Sequence, residues 1–254
     1  MSTPRPLLIL QLRPEDAIAD SEYACFLKYG EINGTDTIRM RIEKNGIPDD
    51  LNIYDYAAII VGGSPFDITT PAQEKSEIQN KIEQDFNALL AKVVQNDFPF
   101  LGACSGCGLL GNYLGTPITK KYGEPVSCVT VNITDAGKED DLLQNFPEEI
   151  DVLLGHKEAV NHRPEGAALL IKGSTCPVQM FRIGQNVYAT QFHPEADKEE
   201  FHKRIDTYRY HGYFAPEEAD LLKQQVGVRS TPYAQEILKR FVKKYYIQQE
   251  TNKT

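Results

Sequence analysis

Residues Phe98-Pro99-Phe100-Leu101-Gly102-Ala103-Cys104-Ser105-Gly106-Cys107-Gly108 open on a short apolar run, cross a turn dense in small residues and continue into Leu109 to Leu114. The apolar run reads as a short strand, and the segment after the turn reads as a helix. Cys104 stands at the junction with a glycine two residues to either side, the G-x-C-x-G counterpart of the G-x-S-x-G nucleophile elbow. Glycines at those positions let strand and helix close on one another. The central residue can then take a positive φ that lifts its side chain above the sheet. A cysteine so placed also faces the unpaired N–H groups of a helix start, which favour thiolate over thiol. The competing reading of the pentapeptide alone is a small buried cysteine in a glycine-rich turn.

To either side of this junction the chain alternates strands and helices. Leu7 to Leu12 and Tyr56 to Val61 are continuous apolar runs, the second ending at Gly62-Gly63. Between them, Tyr23, Phe26 and Leu27 recur at helical spacing, and Ile38, Met40 and Ile42 alternate as in a strand. From Pro71 to Asn96, Ile78, Ile82, Phe86, Leu89, Leu90 and Val93 recur every three or four residues, which predicts a long amphipathic helix with proline near its start. Strands are predicted near 126–133, 151–155, 167–172, 178–183 and 187–192, several of them antiparallel, and helices near 197–211, 216–225 and 231–247. The pattern predicts an α/β, flavodoxin-like fold: a mostly parallel sheet flanked by helices, with a β extension in the second half. No Gly-, Ser- or Pro-rich linker interrupts the chain, so residues 1–254 are expected to form a single domain with a C-terminal helical tail from about 197.

The 254 residues are 41% hydrophobic and 25% charged, ordinary globular usage, with a formal net charge of −9. That field repels phosphate backbones, so no nucleic-acid partner is expected. The one basic cluster, Lys239, Arg240, Lys243 and Lys244, alternates with apolar residues at helical spacing and reads as a solvated face. No apolar run reaches membrane-spanning length and no secretion signal is evident, which predicts a cytoplasmic protein without a membrane partner. Cys25, Cys104, Cys107, Cys128 and Cys176 form an odd, scattered set, which argues against a disulfide framework. A single C-x-x-C without a second ligand pair predicts no metal site, and no phosphate-binding loop or other cofactor motif is present.

A nucleophilic cysteine needs an acid/base partner, and His193 is the best placed of the five histidines. It lies in Thr190-Gln-Phe-His-Pro-Glu195, just past a strand, where active-site groups of parallel sheets collect. Glu195 is positioned to accept an imidazole N–H and fix its tautomer. Together the Gly102–Gly106 elbow, the Q-F-H-P-E strand end, Gly155-His-Lys-Glu-Ala-Val160 and Arg163-Pro-Glu-Gly166 resemble a class I glutamine amidotransferase domain. The flavour is similar to the glutaminase part of GMP synthase in stand-alone form, over roughly residues 7–195. Val61-Gly-Gly-Ser-Pro65 matches that family's oxyanion-loop position, and Cys176-Pro-Val178 its segment before the last strands.

The resemblance implies Cys104 as nucleophile, His193 as acid/base, Glu195 as the group orienting it, and the backbone N–H groups of Gly63 and Ser105 as the oxyanion hole. It implies hydrolysis of a γ-glutamyl amide, glutamine by default, through a γ-glutamyl thioester, and an ammonia-accepting synthase partner. His156 and Glu158 lie in a loop that in the family is near the site, with a supportive role expected. Such elbows commonly continue with a His-Gln pair that helps hold the substrate's polar backbone, whereas this chain has Cys107 and Gly108. That departure keeps a γ-glutamyl peptide open as the substrate. It also raises the expectation that Cys107 traps Cys104 as a reversible disulfide, against the blander reading of a small packing residue. Two other classes compete: a thioredoxin-like redox role for Cys104-Ser-Gly-Cys107, disfavoured by its distance from the first strands, and a catalytically silent binding module on the same fold. The aromatic stretch Tyr208 to Phe214 is expected to pack against the domain.

Overall fold

The computed structural model describes residues 5–210 and 214–247. In chain order its elements are β1 (Leu7–Gln11), α1 (Asp16–Gly30), β2 (Thr37–Arg41), a single turn α2 (Ile42–Asn45), β3 (Ile59–Val61), α3 (Glu77–Gln95), β4 (Phe100–Ala103) and α4 (Ser105–Tyr113). Then come β5 (Ile118–Thr119), β6 (Glu124–Ile133), a single turn α5 (Asp135–Lys138), β7 (Glu149–His156), β8 (Ala159–Val160), β9 (Ala168–Lys172), β10 (Met180–Ile183) and β11 (Val187–Thr190). Three helices follow: α6 (Lys198–Tyr208), α7 (Ala219–Val226) and α8 (Pro232–Val242).

Nine strands form one sheet in the order β2-β1-β3-β4-β11-β10-β9-β6-β7. The first five run parallel. From β11 onward every pairing is antiparallel, which is the β extension. Successive side chains of a strand point to opposite faces, and the burial follows that rule. Leu7, Ile9, Ile60 and Leu101 join a core with Phe26 of α1 and Ile237, Leu238 and Phe241 of α8. Leu8, Leu10, Val61 and Phe100 join a second core with Ile82, Phe86, Leu89 and Leu90 of α3. Helices α6 and α7 pack Phe201, Ile205, Leu222 and Val226 on Cys128 and Leu153 of the extension.

Three local expectations need adjustment, and a fourth falls partly outside the described residues. α3 begins at Glu77 rather than near Pro71, because Ser76 caps it by accepting the Gln79 N–H at 3.2 Å, and Ile78 lies on its exposed face. The last strand stops at Thr190: Gln191 leaves β4 and donates its N–H to the Gln179 carbonyl at 2.8 Å. The basic cluster at the end of α8 and just beyond it is not simply solvated, since Lys239 pairs with Glu31, Arg240 with Glu236, and Lys244 with Asp141. His211, Gly212 and Tyr213 of the aromatic stretch lie outside the described residues, while Tyr208 is buried.

Candidate active site

The C-terminal ends of the parallel strands converge on Cys104. β4 hands the chain to α4 there, with Cys104 as the N-cap residue at φ 52°. A non-glycine residue in that region is strained, and it is held by its surroundings. Its N–H donates to the Thr190 carbonyl at 2.7 Å, at the end of β11, and its own carbonyl accepts the Gly108 N–H at 3.1 Å. The turn is tight enough that a Cβ on Gly102 would stand 2.7 Å from the Gly106 backbone, so the flanking glycines are required by contact. Of the five free cysteines only Cys104 is partly exposed. Burial pushes the thiols of Cys25 and Cys176 up to about 12 and that of Cys107 well above its ordinary value.

His193 follows β11 and is fixed by its N–H, which donates to Leu153 of β7 at 3.0 Å. Its Nδ1 lies 2.7 Å from Glu195 Oε1, both side chains being buried. Burial alone would lower the imidazole pKa. Glu195, together with Cys104 and a hydrogen bond to it, outweighs burial, and the net shift is upward. Burial would likewise raise Glu195, but His193 and Arg204 hold its carboxyl well below the usual range. Gly63 passes close over this pair: a Cβ there would meet His193 Cε1 at 2.8 Å and would also collide with the Arg13 guanidinium. Ser105 ties the elbow to the same loop, its hydroxyl donating to the Ser64 carbonyl at 3.3 Å. Cys104, His193, Glu195, Gly63 and Ser105 are therefore gathered at one place.

His156 and Glu158 are committed elsewhere. His156 Nδ1 lies 3.0 Å from the Glu158 carbonyl and Nε2 lies 3.1 Å from Glu124 Oε2. Glu158 accepts the N–H groups of Ile68 and Thr69 at 2.6 and 2.9 Å, and the Thr69 hydroxyl at 2.6 Å. Among the described residues, Glu124, His156 and Cys176 are the set whose donor atoms could hold a metal, lying within 4.8 Å of one another. Cys176 does not stand alone, as its spacing implied, because loop closure brings it to residues distant in sequence. Each member already has a partner: His156 bonds Glu124, Gln179 Nε2 also donates to Glu124 at 2.8 Å, and the Cys176 thiol donates to the Val178 carbonyl. Cys107 is fully buried in the second core, as expected of a small packing residue.

Two arginines escaped the sequence reading. Arg204 of α6 is 6% exposed, and its guanidinium donates to Glu195 at 3.1 Å and to Glu200 at 2.9 Å, with Nη1 3.1 Å from His193 Nδ1. Arg13, at the end of β1, donates to Glu22 at 3.1 Å, and Glu22 also lies 3.5 Å from Arg204. The signal for Arg13 was its place at the carboxyl end of a buried strand. Arg204 and Glu200 carry only an i,i+4 spacing that any surface helix shows. Cys104 sits between two recesses. One is walled by Arg13, Phe201, Ile205, Tyr208 and Phe214 on the His193 side; the other is walled by Phe66, Asp67, Ile118, Lys157 and Gln191 on the Ser105 side. A partly exposed cysteine sulfur at a helix start can attack a carbonyl carbon, and the carboxylate-bound imidazole beside it can then pass a proton to the departing group.

The chain is 31% identical over 110 residues to one of the subunits of a glutamine-hydrolyzing GMP synthase from Thermococcus kodakarensis, and 25% identical over 148 residues to a glutamine-hydrolyzing GMP synthase from Neisseria meningitidis. Those matches take in 43% and 58% of this chain. They span about half of the first relative (57%) and about a quarter of the second (26%). A glutamine amidotransferase from Thermotoga maritima shares the fold, with a TM-score of 0.68 at 18% identity over 94% of this chain and 99% of that one. The family model for glutamine amidotransferase class-I matches residues 31–206, well over half of the sequence and including the elbow and the His193–Glu195 turn, and the chain belongs to that family of enzymes.

Proposed function

We propose that the protein hydrolyses glutamine to glutamate and ammonia through a γ-glutamyl thioester on Cys104. The observation that carries this reading is the strained turn that lifts Cys104, the one partly exposed cysteine, toward an imidazole held by a buried carboxylate. The Cys104 thiolate adds to the γ-carboxamide carbon, and charge builds on its oxygen. The N–H groups of Gly63 and Ser105 stabilise that oxyanion, and neither is bonded to a protein acceptor among the described residues. His193, as imidazolium, protonates the nitrogen as the C–N bond breaks, and ammonia leaves. Neutral His193 then takes a proton from water, the hydroxide adds to the thioester, and Cys104 departs as thiolate with glutamate. Glu195 holds the imidazole in register throughout.

The relatives named as separate subunits of glutamine-hydrolyzing GMP synthases support a synthase partner that accepts the ammonia. The packing of α8 onto α1 and the parallel sheet supports a single domain in which the C-terminal helices are part of the core. Five free thiols support a reducing, cytoplasmic setting. A second reading, hydrolysis of a γ-glutamyl peptide, is favoured by the apolar recess on the His193 side, where the leaving nitrogen must lie to be protonated. Ammonia release from glutamine and asparagine, and amine release from γ-glutamyl peptides, compared with Cys104→Ala as blank, tests both. Turnover that survives in Cys104→Ala, or labelling of another cysteine by a glutamine-like chloroketone, would refute the mechanism.

A further inference from the structure

Hydrolysis of a γ-carboxamide leaves open how the far end of the substrate is held, and the recess on the Ser105 side offers few charged groups for the task. His156 is occupied by Glu124 and the Glu158 carbonyl. Glu158 spends both oxygens on the loop at Ile68 and Thr69. Position 108 carries no side chain, and a Cβ there would stand 3.1 Å from Ile68 Cδ1, so Ile68 fills the space above it. The remaining charged side chains of the recess are Asp67 and Lys157, a half-buried pair with Nζ 3.6 Å from Oδ2. Gln191 lines the same recess. It is 2% exposed, and its Oε1 is buried without a protein donor.

We infer that Asp67 and Lys157 form the receptor for the α-ammonium and α-carboxylate of the γ-glutamyl substrate, with Gln191 Oε1 as a second acceptor for the ammonium. This rests on the proposed hydrolase reading. An α-amino acid carries both charges on one carbon, so they must be met by opposite charges at adjacent points, which is what a close Asp–Lys pair presents. Binding exchanges one ion pair for two without adding net charge, whereas a substrate lacking either group leaves one partner facing a neutral surface. The elements holding the pair are braced: Gln79 donates to the Asp67 carbonyl at 2.6 Å, and Glu158 locks the adjoining loop. The site therefore selects a free amino-acid head group, and a γ-glutamyl residue blocked at its α-amine or α-carboxylate is excluded.

The test pairs residue changes with substrate truncations. 4-Aminobutanamide is glutamine without its α-carboxylate, and 4-carbamoylbutanoate is glutamine without its α-ammonium. Lys157→Met should raise KM for glutamine about tenfold or more with kcat within about twofold, and should leave 4-aminobutanamide unaffected. Asp67→Asn should raise KM for glutamine and 4-aminobutanamide but not for 4-carbamoylbutanoate. Unchanged KM for glutamine in both variants, or equal losses on every substrate, would overturn the assignment. Calorimetric titration of Cys104→Ala with the same three compounds reads recognition without turnover. If the wild type hydrolyses none of them but glutamine binding still depends on Asp67 and Lys157, the hydrolase reading fails and the receptor stands. No glutamine binding to Cys104→Ala would remove the receptor.

Discussion

Replacing Arg204 with methionine tests whether a residue bonded to Glu195 sets the geometry of the site. The side chain is 6% exposed and donates to Glu195 at 3.1 Å and Glu200 at 2.9 Å. Methionine of similar length leaves Glu22, Glu195 and Glu200 sharing one buried region with a single remaining arginine, Arg13. Breaking a buried pair from one side costs about 3–5 kcal/mol. For a chain of this size that corresponds to a melting temperature lower by about 6–20 °C, at about 2–4 °C per kcal/mol. Arg204→Lys keeps the charge but lacks the fork that reaches two carboxylates, so about half of that loss is expected. Turnover should fall by a factor of tens in both variants, because Glu195 no longer has a fixed partner to aim it at His193. Arg204 also pushes the His193 pKa down. The His193 limb of the pH–rate profile should therefore move to higher pH in Arg204→Met. Differential scanning fluorimetry and a coupled ammonia assay give the three readouts. A lowered melting temperature with unchanged kcat and unchanged pH profile would make Arg204 a purely structural residue and refute the reasoning.

His193→Ala should lower kcat by about two to four orders of magnitude and Glu195→Gln by a factor of tens, and the reverse ranking would break the proposed roles. The lowered Glu195 pKa contributes stability that is present above about pH 4.5 and lost as pH falls through its folded value. The raised His193 pKa contributes stability present below about pH 6.5 and lost as pH rises through its folded value. The melting-temperature gap between wild type and the His193→Asn/Glu195→Gln double variant should thus peak between those values, and a gap flat from about pH 3 to 9 would be inconsistent with the buried pair. Gly102→Ala, whose new methyl meets the Gly106 backbone at 2.7 Å, should cost about 1–3 kcal/mol and distort the elbow; wild-type stability and turnover would argue against the tight turn. Mild peroxide should oxidise Cys104 to the sulfenic acid without a Cys104–Cys107 link, since Cys107 is buried with its thiol pushed up, and peptide mapping that found the disulfide would restore the redox expectation.

The sequence by itself determined which segments are the buried strands of the parallel sheet and where its elbow lies. Leu7 to Leu10, Ile59 to Val61 and Phe100 to Ala103 are uninterrupted apolar runs because strands buried between two layers of helices have no polar face, and that pattern survives in one dimension. The elbow was legible for a similar reason: the glycines are demanded by contacts within a few residues of one chain. The His193–Glu195 bond was readable because both ends lie on one turn. What only the tertiary structure decided are contacts between charges distant in sequence. Arg204 looks like a helix-surface residue until α6 folds its face onto the His193 turn, and Asp67 and Lys157 become neighbours only when the loop after β3 closes over the end of β7. Cys176 looked isolated until its loop met Glu124 and His156. Hydrophobic periodicity records which face of an element is buried, whereas the partner of a buried charge is set by which loops the sheet order brings together, and no local pattern encodes that.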